Sequence, residues 1–436
     1  MSRPDTHFLK CLKALILLSV LFCALTAQAN ITTTVNQLVE NQRRILVLRE
    51  AASKEERGEA RRAGQYLFFE NQRLSKNLLT ELTLDTANIP LRYRELTASL
   101  DNPTFLDEDR FALRGRLENL LPKLPAAERA DAQKRLDRLN ELGKDFAKEY
   151  EQSLQHIPLP RDRQVSNRWS AYIAKLTKRL STAQILADLD DELIGATPAD
   201  DHDLVSIAAK ARVLEWNGEE LPDRTILLTF DDGPHPVHTA AILDVLKSNN
   251  VRAVFFQIGR NLSEGNHGQS QARQINQIEQ RIITEGHAVG NHSFSHTLLT
   301  RLPDKSIGRE IAETQLLLEM AIPNRTSRTG GFRPPFGIRD DKVLVEVDRQ
   351  QLRSIVWNID SEDWADPVPM SIAHRVVQEA EKAGRGIVLM HDIHARSVEA
   401  LPIVIDELRK RGFRFARWNG KKLVIDQASY DYCFIP

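Results

Sequence analysis

Thr225-Ile-Leu-Leu-Thr-Phe-Asp-Asp-Gly-Pro234 opens as a short apolar run, the pattern of a buried strand, and breaks after Phe230 into two adjacent carboxylates and a Gly-Pro turn. Alone, Asp-Asp-Gly-Pro is usually just a turn. Further along the chain the arrangement recurs. Strand patterns at 225–230, 252–258, 287–291, 331–333, 354–359, 386–390 and 413–416 alternate with helical patterns near 239–247, 273–284, 306–320, 341–350, 371–382 and 398–411. Such alternation implies a parallel sheet with helical crossovers. Asp231 and Asp232, His292, Arg333, Asp360 and His391 each follow the C-terminal end of a different strand. In a barrel those ends converge on one mouth, whereas a doubly wound sheet would gather them at a single switch point. The expected fold is α/β, an incomplete (β/α) barrel of about seven parallel strands.

Upstream the composition changes. Residues 30–220 contain six glycines and 221–436 contain fourteen. Apolar residues fall at helical spacing in three sets: Val35, Leu38, Val39, Ile45 and Leu46; Leu136, Leu139, Phe146, Tyr150 and Leu154; Trp169, Ile173, Leu176 and Leu180. Pro125 suits the first turn of the second helix, and Ser166 suits the N-cap of the third. Pro90, Pro103, Pro158 and Pro160 divide the region into about five or six helices. The expectation is an all-α bundle or coiled-coil hairpin over 30–200 with charged residues on solvated faces. A linker follows at 201–221, then the barrel domain at 222–420 and a C-terminal tail at 421–436. The charged helical faces offer a surface for a protein partner or self-association.

Arg3, Lys10 and Lys13 precede an uncharged run ending at Leu25, and Ala27-Gln28-Ala29 supplies small residues for cleavage. This pattern is a secretory signal peptide, residues 1–29, and implies a periplasmic or secreted protein. Its apolar run is shorter than the roughly 20 residues of a membrane-spanning helix, so no stable span is expected after cleavage. Cleavage removes three basic residues and Asp5, leaving 56 basic and 59 acidic residues, a net charge of −3. There is then no domain-wide positive field, which argues against nucleic acid as a partner. Of three cysteines only Cys433 stays, which excludes a disulfide scaffold.

Nine of the twelve histidines lie between His235 and His394. Five segments carry the candidate chemistry: Thr229-Phe-Asp-Asp-Gly-Pro234; His292-Ser-Phe-Ser-His296, whose spacing would stack two imidazoles one helical turn apart; Arg333-Pro-Pro-Phe-Gly337; Asp360-Ser-Glu-Asp-Trp364; and Leu389-Met-His391. Each has a plain structural reading by itself. In this order and on these strand ends they resemble the five motifs of the polysaccharide deacetylase, or NodB-homology, domain of carbohydrate esterase family 4. The resemblance covers about residues 222–418 and does not reach the helical region.

The resemblance implies a metal-dependent deacetylase removing N-acetyl groups from a glycan containing N-acetylglucosamine, such as peptidoglycan or an exopolysaccharide. Asp232, His292 and His296 match the metal ligands, with zinc expected first and cobalt or nickel as alternatives. Asp231 matches the general base and His391 the general acid, with Arg333 and Asp363 orienting them. Phe336 matches the oxyanion-binding backbone N–H, and Trp364 and Leu389 the apolar wall around the acetyl methyl. The alternatives are an O-acetyl esterase and a cell-envelope interaction protein whose barrel only binds glycan. A glycosidase is disfavoured, because its two carboxylates must flank the scissile bond about 5 to 9.5 Å apart. His235 and His238 read as cleft-rim residues, and His394 takes no role. Residues 259–274, rich in Gly, Asn, Ser and Gln, read as a long loop on the catalytic face.

Overall fold

A computed structural model describes residues 31–51, 57–154, 168–189, 215–263, 268–321, 330–418 and 423–425. The expected signal peptide, most of the linker, Pro158, Pro160, Ser166 and Cys433 lie outside the described residues. Among the described residues no helix is long and apolar enough to cross a membrane.

The strands are β1 (Thr225–Gly233), β2 (Ala253–Gln257), β3 (Ala288–Asn291), β4 (Gly331–Phe332), β5 (Arg353–Ser354), β6 (Ile359–Asp360), β7 (Gly386–His391), β8 (Arg414–Trp418) and β9 (Leu423–Ile425). Seven of them pair in the order β5-β4-β3-β2-β1-β7-β6, every neighbour parallel. The strand expected at 354–359 is two strands, and they lie at opposite edges of the sheet. This split shows how far the sheet is curled. Five residue steps from Ser354 to Ile359 reach at most about 18 Å, whereas the edges of a flat seven-strand sheet stand about 29 Å apart. Only a sheet rolled into a barrel brings β5 and β6 that close. Trp216 enters the seam: its N–H donates to the Ser354 carbonyl at 2.9 Å, and its carbonyl accepts from Val356 at 2.8 Å. Residues 215–221, expected as linker, are therefore part of the barrel. β8 pairs parallel with the start of β1 and antiparallel with β9, which lies beyond the expected domain end at 420.

Alternation along the strands sorts side chains between two layers. Ile226, Leu228 and Phe230 of β1, Phe255 of β2, and Val388 and Met390 of β7 pack outward on the helices. Leu227, Val254, Phe256 and Ile387 fill the inside with Trp216 and Trp418. By the same period Thr229, Asp231, Leu389 and His391 point inward.

The N-terminal half contains α1 (Ile31–Ala51), α2 (Arg57–Thr83), α3 (Ile89–Leu100), α4 (Asp107–Ala112), α5 (Arg114–Leu120), α6 (Ala126–Leu154), α7 (Arg168–Arg179) and α8 (Thr182–Asp188). Short helices such as α4 and α5 raise the number above the expected five or six. Pro125 immediately precedes α6, its carbonyl accepting from Arg129 at 2.8 Å. Leu38, Leu46, Phe111, Phe146 and Trp169 share one core, and Trp364, Ala365 and Val368 of the barrel belong to the same core. The packing is that of a bundle seated on the barrel. The barrel helices are α9 (His238–Ser248), α10 (Gly259–Leu262), α11 (Gln269–Thr284), α12 (Asp304–Ala321), α13 (Asp341–Arg349), α14 (Pro369–Ala383) and α15 (Ala395–Lys410). The long loop expected at 259–274 is largely helical, in α10 and the start of α11. Its Gln and Ser residues form the wet face of α11, while Ile275, Ile278 and Ile282 are buried beneath.

Candidate active site

Consecutive strand residues face opposite ways, so Asp231 and Asp232 could not both enter the pocket from a regular β1. The ladder with β2 shifts register between Asp231 and Gly233, and Asp232 takes φ +75°. This bulge turns both carboxylates to the same side. No side chain would fit at Gly233, because a Cβ there would run into the Asp392 carboxylate. Ser293, His296 and Phe336 also have φ near +60°, a costly backbone region for non-glycine residues that tends to cluster at functional sites.

The expected helical stacking of His292 and His296 is not what forms. The segment is a loop, since left-handed Ser293 and His296 cannot continue a helix. Glu310 of α12 holds it by accepting from the N–H groups of Phe294 (3.0 Å) and Ser295 (2.8 Å). The two rings still meet, with centroids 4.9 Å apart. His292 Nδ1 donates to the Arg333 carbonyl at 2.7 Å, which leaves Nε2 as its ligand atom. Asp232 Oδ1 lies 3.4 Å from His292 Nε2 and 3.2 Å from His296 Nε2.

That oxygen is buried and has no hydrogen-bond partner. Two ligands of a tetrahedral zinc, each about 2.1 Å from the ion, stand about 3.4 Å apart, so the spacing fits a metal. Electrostatics agree. Burial opposes charge on Asp232, but His296 and His292 outweigh it and hold the carboxyl well below its usual range. Burial pushes the His296 imidazole down to about 3, so it is neutral and able to ligate.

Asp231 and His391 are register partners on β1 and β7. Arg333 is fully buried, its guanidinium 4.1 Å from the Phe256 ring. Its Nη1 donates to Asp231 Oδ1 (2.7 Å) and Thr229 Oγ1 (2.8 Å), and its Nε donates to the Ile355 carbonyl (2.9 Å). The base candidate is thereby fixed in direction. On the neighbouring strand, His391 Nδ1 pairs with Asp363 Oδ1 at 2.6 Å, leaving Nε2 free of that bond. Asp363 Oδ2 also accepts from the His391 N–H (2.8 Å) and from Ser397 Oγ (2.5 Å). Burial alone would lower the His391 pKa, but the Asp363 carboxylate overrides it and raises it to about 10. Arg396 ties the same loop by donating to the carbonyls of Asp363 and Trp364.

All ten expected site residues come together around these groups, with Phe336, Trp364 and Leu389 lining a cavity of about 20 Å³. No role was anticipated for Thr229, Ser397, Arg396 or Glu310, because each acts through hydrogen bonds to distant chain segments. Gln65, Phe68 and Phe69 of α2 also line the cavity and were missed entirely. His235 and His238 stack on each other at 4.4 Å, with His235 Nδ1 accepting from the His238 N–H at 3.1 Å.

The polysaccharide deacetylase family profile matches residues 218–355. The chain is 36% identical over 208 residues to the peptidoglycan-N-acetylmuramic acid deacetylase PdaC of Bacillus subtilis (strain 168), covering 47% of this chain and 41% of that protein. It is 30% identical to a peptidoglycan-N-acetylglucosamine deacetylase of Bacillus cereus, covering 44% of this chain and 85% of that one. It is 36% identical to a chitooligosaccharide deacetylase of Rhizobium leguminosarum bv. phaseoli, covering 43% of this chain and 77% of that one. The chain thus spans about two fifths of the length of the Bacillus subtilis relative and most of the two shorter ones. It belongs to the polysaccharide deacetylase family.

Proposed function

We propose that this protein is an exported, metal-dependent hydrolase that removes N-acetyl groups from an N-acetylglucosamine-containing glycan of the cell envelope or extracellular matrix. The observation that carries this reading is that two oriented groups, Asp231 held by Arg333 and His391 held by Asp363, line one cavity with the Asp232–His292–His296 cluster. Export rests on residues 1–29.

A divalent metal held by Asp232, His292 and His296 would lower the pKa of a water and polarise the acetyl carbonyl. Asp231, aimed by Arg333, is the group that would take a proton from the water attacking the carbonyl carbon. The Phe336 N–H faces the developing oxyanion, and Trp364 and Leu389 enclose the methyl group. Expulsion of an amine requires a proton on nitrogen. His391, kept cationic near neutral pH by Asp363, supplies it from Nε2 as the C–N bond breaks, leaving acetate and a free amine.

The test is a substrate panel with the purified, zinc- or cobalt-loaded protein: N-acetylglucosamine oligomers, peptidoglycan and an O-acetylated xylan, scored by acetate release. Release from the N-acetylated glycans is expected. Release only from the xylan would replace the reading with O-acetyl ester hydrolysis, and release from none would overturn it.

A further inference from the structure

The cavity at the catalytic groups, about 20 Å³, holds little more than a water molecule, whereas pockets for organic ligands start near 300 Å³. What closes it comes from the helical half. Gln65, Phe68 and Phe69 lie at i, i+3 and i+4 on α2 and so share one helix face. The Phe69 ring centroid is 5.2 Å from that of His296 and meets Phe336 edge-on at 4.6 Å. Phe68 packs 6.0 Å from Trp364 and 5.6 Å from His394. At Gly64 a Cβ would sit 3.1 Å from Trp364, so the α2 backbone lies directly against the catalytic loop. Phe69 is only half-buried and packs at the margin of the core, whereas Ala60, Ala63, Leu67, Phe68 and Leu78 of α2 are buried within it.

We infer that the Gln65–Phe68–Phe69 face of α2 is the gate of this pocket. It occupies the place where the sugar ring bearing the acetyl group has to sit, and a glycan is turned over only after that face has withdrawn. This inference rests on the deacetylase reading for its substrate. The helical half is thereby the access- and specificity-determining part of the site. When the competent state is a minor population, the apparent substrate affinity is weakened by that fraction, so removing the gate acts on KM more than on kcat.

The test compares the full-length, cobalt-loaded wild type, Phe69→Ala and the volume-keeping Phe69→Met on an N-acetylglucosamine pentamer. In Phe69→Ala, KM is expected to fall about tenfold while kcat stays within about twofold, and Phe69→Met should track the wild type. A KM in Phe69→Ala that is unchanged or raised overturns the gate, because Phe69 would then be inert or a wall that binds the sugar. Should Phe69→Ala not fold by circular dichroism, Gly64→Leu, which wedges α2 off Trp364, takes its place with the same expected result. If no form releases acetate, the deacetylase reading falls, and the gate is decided by the rate at which EDTA strips cobalt, followed by visible absorbance. Stripping about tenfold faster in Phe69→Ala upholds the gate, and equal rates overturn it.

Discussion

Two buried arginine–aspartate pairs, one within the barrel and one between the helical half and the barrel, show the same chemistry put to different uses. In the barrel, Arg333 follows β4 and Asp231 lies at the end of β1, and Arg333 spreads its remaining donors over Thr229 Oγ1 and two backbone carbonyls. Its pKa is lowered by burial, with Asp231 acting against that shift. Its effect is to hold one carboxylate oxygen in a fixed direction. In the helical half, Arg49 of α1 pairs with the fully buried Asp366 of the loop before α14, with Arg375 as a second partner at 3.4 Å. Its contact is with the segment that carries Asp363 and Trp364, and it joins two surfaces. A buried ion pair therefore orients a reacting group when its partners are rigid strand ends. It clamps two modules together when its partners come from each of them, here beside the core they share.

The largest loss is expected at the Asp232–His292–His296 cluster. Asp232→Ala should abolish tight metal binding and lower kcat/KM by about 10³-fold or more, checked by metal content and acetate release, while the fold persists by circular dichroism. Next comes the clamp. Arg49→Met leaves Asp366 buried with a weaker partner and should cost about 3 kcal/mol in denaturant unfolding. If the two halves are one cooperative unit, the loss appears in a single transition; two separated transitions would show that the clamp is what couples them.

A smaller effect sharpens the barrel side. His391 must be protonated to act as an acid, and Asp363 raises its pKa to about 10, so activity should persist into alkaline pH and decline as pH rises through that value. Asp363→Asn removes the raising charge and leaves burial, which lowers the pKa. The alkaline limb of kcat/KM should then move to lower pH, with a loss of about 10- to 100-fold at its optimum. An unmoved limb would mean another group sets it. At the bottom of the scale, Lys144→Ala breaks only an exposed pair with Glu141 on α6 and should leave Tm and activity unchanged.

The barrel was legible because its strands are short, buried and punctuated by polar residues at one end. The family motifs then named the site residues. Three features escaped for physical reasons. The break between β5 and β6 is invisible as periodicity, since Ile355 and Val356 continue the apolar run while the chain crosses the seam. The spacing of His292 and His296 suits a helix, and only the left-handed backbone at Ser293 and His296, held by Glu310, makes it a loop. Phe68 and Phe69 look like an ordinary stripe on an amphipathic helix. Nothing local to them says that this stripe lines one cavity with Asp231, Asp232 and His391, more than 150 positions away.

Asp231, held by Arg333 beside the Asp232–His292–His296 cluster, is proposed to remove the proton that makes amide hydrolysis proceed. This role is tested most directly by acetate release from an N-acetylglucosamine pentamer by wild type and Asp231→Asn, with metal content measured in both. Release by the wild type, a loss of about 10³-fold or more in Asp231→Asn, and unchanged bound metal are expected. Equal release by both proteins would contradict it.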